Sequence, residues 1–406
     1  MTGFEHWYMK LLHVISTLDP SYGGPVSALE SLAEESIAQG DEVEVATLDA
    51  ATEPWIGRHN FKVEALGTGP SGKYAYTPRL RPFLRARHHE FDAVIVHGIW
   101  QYQSRAAWME LRHGRTPYYV FPHGALDPWF KARYPLKHLK KWLYWPWAEY
   151  RALRDATGVI FTSEEERRLA RKSFWLYRCS EKVVNFGCSS PPLTDGDIDA
   201  FHAAVPGLRD KRIALYMSRI HEKKGCDLLL ASFARIAGVE PDMRLVIAGP
   251  DATGLSQKLK QLAGRLGVSD RVHWPGMLSG SVKYGAFRAA EVFVLPSHSE
   301  NFGVVVAESL ACGTPVLISN KVNIWREVES AGAGLVEADT PAGTDALFAR
   351  WMGQTDAGRQ AMRSAARRCF QRKFHIRQTV QGLREIICAA DGKLEQNTGQ
   401  AIANAL

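Results

Sequence analysis

The run Ser297-His298-Ser299-Glu300-Asn301-Phe302-Gly303-Val304-Val305-Val306-Ala307-Glu308 sets one glutamate just before a helical pattern and a second inside it. A carboxylate accepts well from vicinal hydroxyls, a common way to hold a ribose or a hexose. Taken singly, Glu300 reads as a helix-start acid and Glu308 as a solvated helix residue. Glu308, however, stands in the run 304–310, apolar but for its neighbour Ser309, where burial needs a partner. That favours a ligand. Gly303 lets a backbone or a phosphate approach closely. The free N–H groups at the helix start, with about half a positive charge from the helix dipole, suit a diphosphate.

A second set, Ser218-Arg219-Ile220-His221-Glu222-Lys223-Lys224-Gly225, follows an apolar run and precedes another helical pattern. Arg219 and Lys224 can flank a diphosphate and neutralise charge that grows on it. Such preorganised donors are worth roughly 3–4 kcal/mol of barrier each. A basic loop of this kind is otherwise a solvated turn. Gly23-Gly24-Pro25 follows the first apolar run, with glycine for close backbone approach and proline suited to a first helical turn. His123 follows another apolar run in Phe121-Pro122-His123-Gly124, with Asp127 shortly after. A single histidine at a strand end is often structural. His97 and Trp100 either line an acceptor side or pack internally, and Asp127 either orients an acceptor or its own loop.

The spacing of Glu300 and Glu308 within S-E-N-F-G-V-V-V-A-E-S-L-A-C-G-T-P-V closely resembles glycosyltransferase family 4, the group 1 glycosyltransferases of GT-B fold. Arg219 and the Lys-Gly pair at 224–225 stand at that family's spacing. The resemblance spans nearly all the chain from Met9 to about Cys388. It implies that Glu300, with the loop amides of Asn301, Phe302 and Gly303 and the helix start at Val304, holds the donor sugar, and that Glu308 binds the nucleotide ribose. It implies that Arg219 and Lys224 serve the diphosphate, that Gly23 and Gly24 approach the donor phosphate, and that His123 approaches the donor sugar. The family is retaining and is thought to proceed by front-face attack, the leaving phosphate helping to deprotonate the acceptor. Double displacement needs a carboxylate nucleophile, and Asp127 is the one obvious acid in the first domain's cleft segments.

The elements that must position these residues alternate strand, loop and helix. Runs at 11–15, 43–47, 93–97, 118–122 and 158–162 read as buried strands, and a helix is expected over 26–38. Residues 188–210 break the rhythm with proline, glycine and acid. It restarts with strands at 213–217, 244–248, 272–274, 292–295, 315–318 and 334–336, and with helices at 226–238, 255–266, 279–290 and 303–312. Such alternation implies parallel sheets covered by helices on both faces. The fold class is therefore α/β, GT-B, with two Rossmann-like domains facing across a cleft. We expect an N-terminal acceptor-side domain over 1–187, a linker over 188–204, and a nucleotide-sugar-binding domain over 205–375. Residues 376–406 are expected to form a helix packing back towards the first domain, then a frayed tail. Residues 1–8 read as a leader ahead of a start at Met9.

Composition agrees with a globular chain. Of 406 residues, 46% are hydrophobic and 23% charged, ordinary values for a large core. Six scattered cysteines form no C-x-x-C pair, which argues against a zinc site or disulfide framework and for a reducing compartment. No apolar run reaches the roughly 18 residues of a membrane span. The D-x-D sequences in 195–199, a metal motif in other glycosyltransferases, have no strand before them and read as a solvated turn. No metal and no cofactor is expected. The net charge of +7 falls entirely in residues 201–406, and no nucleic-acid motif accompanies it.

The expected function is transfer of a hexose from a nucleotide-diphosphate sugar, GDP-mannose first and UDP-hexose second, to a glycan or lipid-linked acceptor in surface polysaccharide assembly. A nucleotide-sugar epimerase of the same architecture, and a basic nucleic-acid binder, are the alternatives. The stretch 130–154 interleaves Lys131, Arg133, Lys137, Lys140, Lys141, Arg151 and Arg154 with Trp142, Trp145 and Trp147. Two readings stand: the aromatics face the core, or they meet an anionic membrane surface. The second makes a cytoplasmic enzyme peripheral on the inner face of the membrane.

Overall fold

A computed structural model describes residues 8–390, apart from residues 68, 70, 71 and 134. The expected leader falls mostly on residues 1–7, and the expected tail beyond 390, outside the described residues. The chain divides into two compact units. One runs to Gly187 and resumes at Ile376; the other is Cys188–His375.

The first unit holds seven parallel strands: β1 Lys10–Ile15, β2 Glu42–Thr47, β3 Lys62–Ala65, β4 Ala93–His97, β5 Tyr118–Phe121, β6 Gly158–Phe161 and β7 Glu181–Val183. Their order is β3-β2-β1-β4-β5-β6-β7. β1 alternates its side chains between two buried clusters. Leu12 and Val14 join Val94, Val96, Val120 and Phe161 on one side, while Ile15 joins Val26, Leu29 and Val45 on the other. Burial on both faces is why the central strands are near-continuous apolar runs. β3 and β7 escaped the sequence reading because they lie at the sheet edges, short and charged as edges tend to be. Helix Ile376–Ala390 returns to this unit, where Arg384 pairs with buried Asp41 at 2.8 Å and Arg377 with Glu35 at 3.2 Å.

The second unit holds β8 Arg212–Met217, β9 Met243–Ala248, β10 Val272–Gly276, β11 Val292–Leu295, β12 Val316–Ser319 and β13 Gly334–Glu337, all parallel, in the order β10-β9-β8-β11-β12-β13. Each sheet thus reverses direction once, between β1 and β4 and between β8 and β11. In open α/β sheets, ligands bind beyond the strand carboxyl ends at such a switch point.

The segment 188–204 departs from the expected linker. It belongs to the second unit, and Asp197–Ala204 is a helix. Asp197 is fully buried and not a solvated turn. Its carboxylate accepts from the Thr194 amide at 2.8 Å and the Thr194 hydroxyl at 2.6 Å, and from the Ser281 hydroxyl. These donors satisfy the buried charge, so local polarity gave the wrong sign for burial. The two ends of the unit meet where Cys188 bridges to His375, the Cys188 amide donating to the Phe374 carbonyl at 2.9 Å.

Candidate active site

In the second unit, the loops after β8 and β11 are stitched together. The Ser297 hydroxyl donates to the Lys223 carbonyl at 3.0 Å, and the His298 amide donates to the same oxygen at 2.8 Å. Gly225 sits at φ +68° with no room for a side chain: a Cβ there would lie 2.1 Å from the Pro296 carbonyl oxygen. That close approach requires glycine. It delivers Lys224 to Glu300, and the two form an ion pair. Lys224 is 7% exposed. Burial, with Lys223 and Arg219 nearby, draws its ammonium down to about 7, while the adjoining Glu300 carboxylate favours the charged form. Arg219 is exposed at the mouth of the same loop.

Glu300 is fixed through its backbone, its amide donating to Lys321 O at 2.9 Å and its carbonyl accepting from Asn323 N at 3.0 Å. Gly303, at φ +76°, is the N-cap of helix Val304–Ala311, and no side chain caps that end. The first amides of a helix have no partner inside it, so they remain available to an anion. Phe302 turns its ring into the core, edge-on to Phe374 at 5.8 Å. Its backbone, not its side chain, belongs to the site. Asn301 is half-buried beside it.

Glu308 occupies the second turn of that helix. Its Oε1 atom takes the Lys283 ammonium at 2.5 Å. Its Oε2 atom is buried without a hydrogen-bond partner. A buried polar atom without a partner is rare and needs an explanation. Half of this carboxylate is neutralised, and the other half is an acceptor waiting for a donor such as a hydroxyl. Lys283 was not foreseen; a lysine on a helix 25 residues away carries no local sign of this partnership.

In the first unit, Gly23 (φ +81°) is the N-cap of helix Gly24–Ala38, and both Gly23 and Gly24 border open space. The preceding loop is braced by Asp49, which accepts from the Leu18 amide at 2.6 Å and the Thr17 hydroxyl at 2.7 Å. Across the switch point, three histidines form a line. His13 Nδ1 lies 2.8 Å from His97 Nε2, and His97 Nδ1 lies 3.0 Å from His123 Nε2. Burial lowers His13 to about 3 and His123 to about 4; His97 is driven well below the usual range by burial and by its two neighbours. All three are neutral at neutral pH.

His97 is only 1% exposed, so it lines no open surface. It backs His123 instead, because residue 97 on β4 and residue 13 on β1 point to the same sheet face. Trp100 is half-buried and packs on Trp145 and Phe174, its indole N–H donating to Ala125 O at 3.2 Å. Asp127 accepts from the Trp129 amide at 2.8 Å, opening helix Trp129–Arg133. These contacts show packing and capping for the two residues.

Two further acids hold the first unit's loops. Glu166 accepts from the Gly124 amide at 2.6 Å and from the Thr162 amide and hydroxyl, both at 2.7 Å, so it ties the His123 loop to β6. Glu149 is fully buried, accepting from the Trp100 amide at 2.9 Å and the Ser104 hydroxyl at 3.0 Å; burial raises it to about 7. The Ser163-x-x-Glu166 spacing marks a capping box and so a helix start, but it gives no hint of Gly124. Among the described residues, no three His, Cys, Asp or Glu side chains gather as a metal-binding group, and no helix is long and apolar enough to cross a membrane.

Comparison with known proteins joins these observations. Residues 197–368 match the family described as glycosyl transferases group 1, and residues 23–178 match the glycosyl transferase 4-like domain. D-inositol 3-phosphate glycosyltransferase of Mycolicibacterium smegmatis is 34% identical over 171 residues, covering 42% of this chain and 39% of that protein. The enzyme of the same name from Geodermatophilus obscurus is 31% identical over 64% of this chain and 58% of its own length. The chain thus spans less than two thirds of either relative. Sucrose-phosphate synthase from Thermosynechococcus elongatus superposes with a TM-score of 0.71 at 22% identity, covering 97% of this chain and 100% of that one. Anabaena HepE in complex with UDP gives 0.74 at 19% identity, covering 94% and 100%. With one glycosyltransferase match on each unit and this shared architecture, the chain belongs to the group 1 glycosyltransferases of GT-B fold.

Proposed function

We propose that this chain transfers a hexose from a nucleoside-diphosphate sugar to an acceptor hydroxyl, with retention of configuration and without a metal. The observation that carries the reading is Glu308, whose Oε2 atom is buried and unpartnered while Lys283 neutralises Oε1. A ribose with vicinal hydroxyls supplies the missing donors. The diphosphate is then received by Arg219, Lys224 and the uncapped amides at Gly303 and Val304. Glu300 receives donor-sugar hydroxyls, exchanging part of its contact with Lys224 for them. Lys224 turns to the phosphate.

In the reaction, the bond between the anomeric carbon and the diphosphate oxygen breaks, and its electron pair leaves with the diphosphate. The acceptor oxygen bonds to the same face of that carbon. Its proton passes to the departing phosphate oxygen. Charge therefore grows on the phosphate in the transition state, where preorganised cations and amides act most strongly. His123, neutral and backed by His97, meets the donor sugar as a hydrogen-bonding group and not as a cation.

HepE's solved complexes contain UDP, and one contains UDP and glucose, which supports testing UDP-hexoses beside GDP-mannose. A glycan or lipid-linked acceptor fits a chain of this family acting in surface polysaccharide assembly. The test is a thermal-shift panel of nucleoside diphosphates. One base should raise the melting temperature above the others, and the rise should vanish in Glu308→Gln. A panel in which no nucleoside diphosphate stabilises the chain would contradict the reading.

A further inference from the structure

Helix Pro135–Tyr144 in the first unit is amphipathic in the reverse sense of an ordinary surface helix. Its inward side is polar and aromatic. His138 stacks on Phe174 with ring centroids 5.0 Å apart, the Lys141 ammonium lies 4.6 Å from the Trp100 ring centre, and the Tyr144 hydroxyl meets that of Tyr74 at 2.7 Å. Its outward side carries leucine. Leu136 is 81% exposed, Leu139 55% and Leu143 60%. Positions i, i+3 and i+7 fall on one helix face, so the three form a stripe. Trp142 extends it, and its ring lies 6.1 Å from that of Trp175, which comes from a separate loop and is 66% exposed. Single exposed apolar residues are ordinary; a contiguous set of this kind marks an interaction surface.

The charges around the stripe identify the partner. Lys131, Lys137 and Lys140 are exposed beside it. No aspartate or glutamate occurs between Asp127 and Glu149, and Glu149 is buried. A second copy of the chain on this face would bring the same cations together, since a two-fold contact sets one patch against itself. We propose that this face docks on an anionic lipid surface, with the leucines and Trp142 and Trp175 entering the boundary of the acyl region and the lysines meeting the head groups. The inference goes beyond the transfer reading and does not depend on it, because vesicle binding requires no donor.

The experiment is co-sedimentation of the full chain with vesicles of phosphatidylcholine alone and of phosphatidylcholine with phosphatidylglycerol, at low and high salt. The chain binds the phosphatidylglycerol vesicles at low salt, and high salt releases it. Lys131→Gln and Lys140→Gln each weaken binding by about fivefold. The triple variant Leu136→Ser, Leu139→Ser, Leu143→Ser loses binding, with its circular dichroism and melting temperature unchanged because these side chains are exposed. Should the triple variant melt early, Leu136→Ser alone serves, and it still weakens binding. Absence of binding to phosphatidylglycerol vesicles at low salt, or full binding by the folded leucine variants, overturns the proposal. So does a dimer seen by light scattering that the leucine substitutions dissociate, since a second copy then covers the face.

Discussion

The Nδ1 atom of His97 lies 3.0 Å from the Nε2 atom of His123, and burial keeps both rings neutral. His13 Nε2, at the far end of the line, is buried without a partner. An orphaned buried N–H is rarer than an orphaned acceptor, so the favoured arrangement leaves that nitrogen bare. His13 then donates from Nδ1 to His97, and His97 donates from Nδ1 to His123 Nε2. His123 is left with its Nδ1–H to offer a ligand oxygen. His97 is on this account a positioning residue. We expect His97→Phe to lower kcat by on the order of tenfold to a hundredfold while nucleoside diphosphate affinity holds, because Glu308, proposed above for the ribose, makes no contact with this line of histidines. His97→Asn, whose side-chain amide can replace the Nδ1–H, should recover part of the loss. Equal kcat in all three proteins would remove the line from the mechanism.

Glu308→Gln should weaken nucleoside diphosphate binding by about 1.5–3 kcal/mol, the worth of a hydrogen bond to a charged group. Isothermal titration measures it. The fold should survive, since glutamine fills the same space. An unchanged Kd would show that the unpartnered oxygen has some use other than the ribose.

Arg219 and Lys224 should separate. Arg219 is exposed, so Arg219→Ala should lower kcat by on the order of a hundredfold with the melting temperature unchanged. Lys224 is buried against Glu300, so Lys224→Ala should lose both turnover and stability, about 3–5 kcal/mol for breaking a buried pair. A rise in KM with kcat intact in Arg219→Ala would mean uniform binding instead.

Glu149 sets a pH dependence of stability. Its pKa is raised by burial to about 7 in the folded chain, against an ordinary value near 4.5. The folded state therefore holds the proton more tightly. The stabilisation is complete below the unfolded value and is lost as pH rises through about 7. Glu149→Gln, which keeps an acceptor for the Trp100 amide, should remove this loss and be more stable than the parent at pH 8, by on the order of 3 kcal/mol at most. His13 and His123 act in the opposite window. Their lowered values cost stability as pH falls from about 6.5 towards 4. Chemical denaturation at several pH values checks both slopes, and a Glu149→Gln curve parallel to the parent's between pH 5 and 8 would contradict the assignment.

The candidate residues legible in the sequence are those whose types and spacing fall within one short segment. Glu300, Gly303 and Glu308 share one loop-to-helix segment, and Arg219 and Lys224 share another. The strands behind them were legible because burial on both faces makes them apolar throughout. What was not legible depends on long-range pairing. Lys283 reaches Glu308 across 25 residues, Glu166 reaches Gly124 across 42, and His13 reaches His97 across 84. Asp197 was misread for the same reason: its donors include Ser281, 84 residues away. The edge strands β3 and β7 were missed because half-exposed, charged segments of three or four residues carry no alternation long enough to register.

Metal-independent cleavage of a nucleoside-diphosphate sugar with retention at the anomeric carbon can be tested directly. NMR can follow that carbon directly when the chain is incubated with UDP-hexoses and GDP-mannose in excess EDTA, with water as the acceptor. We expect slow release of free sugar from one donor, the first-formed anomer matching the donor's, and loss of that release in Glu300→Gln and Arg219→Ala. First appearance of the opposite anomer would contradict retention, and activity that EDTA abolishes and a divalent cation restores would contradict metal independence.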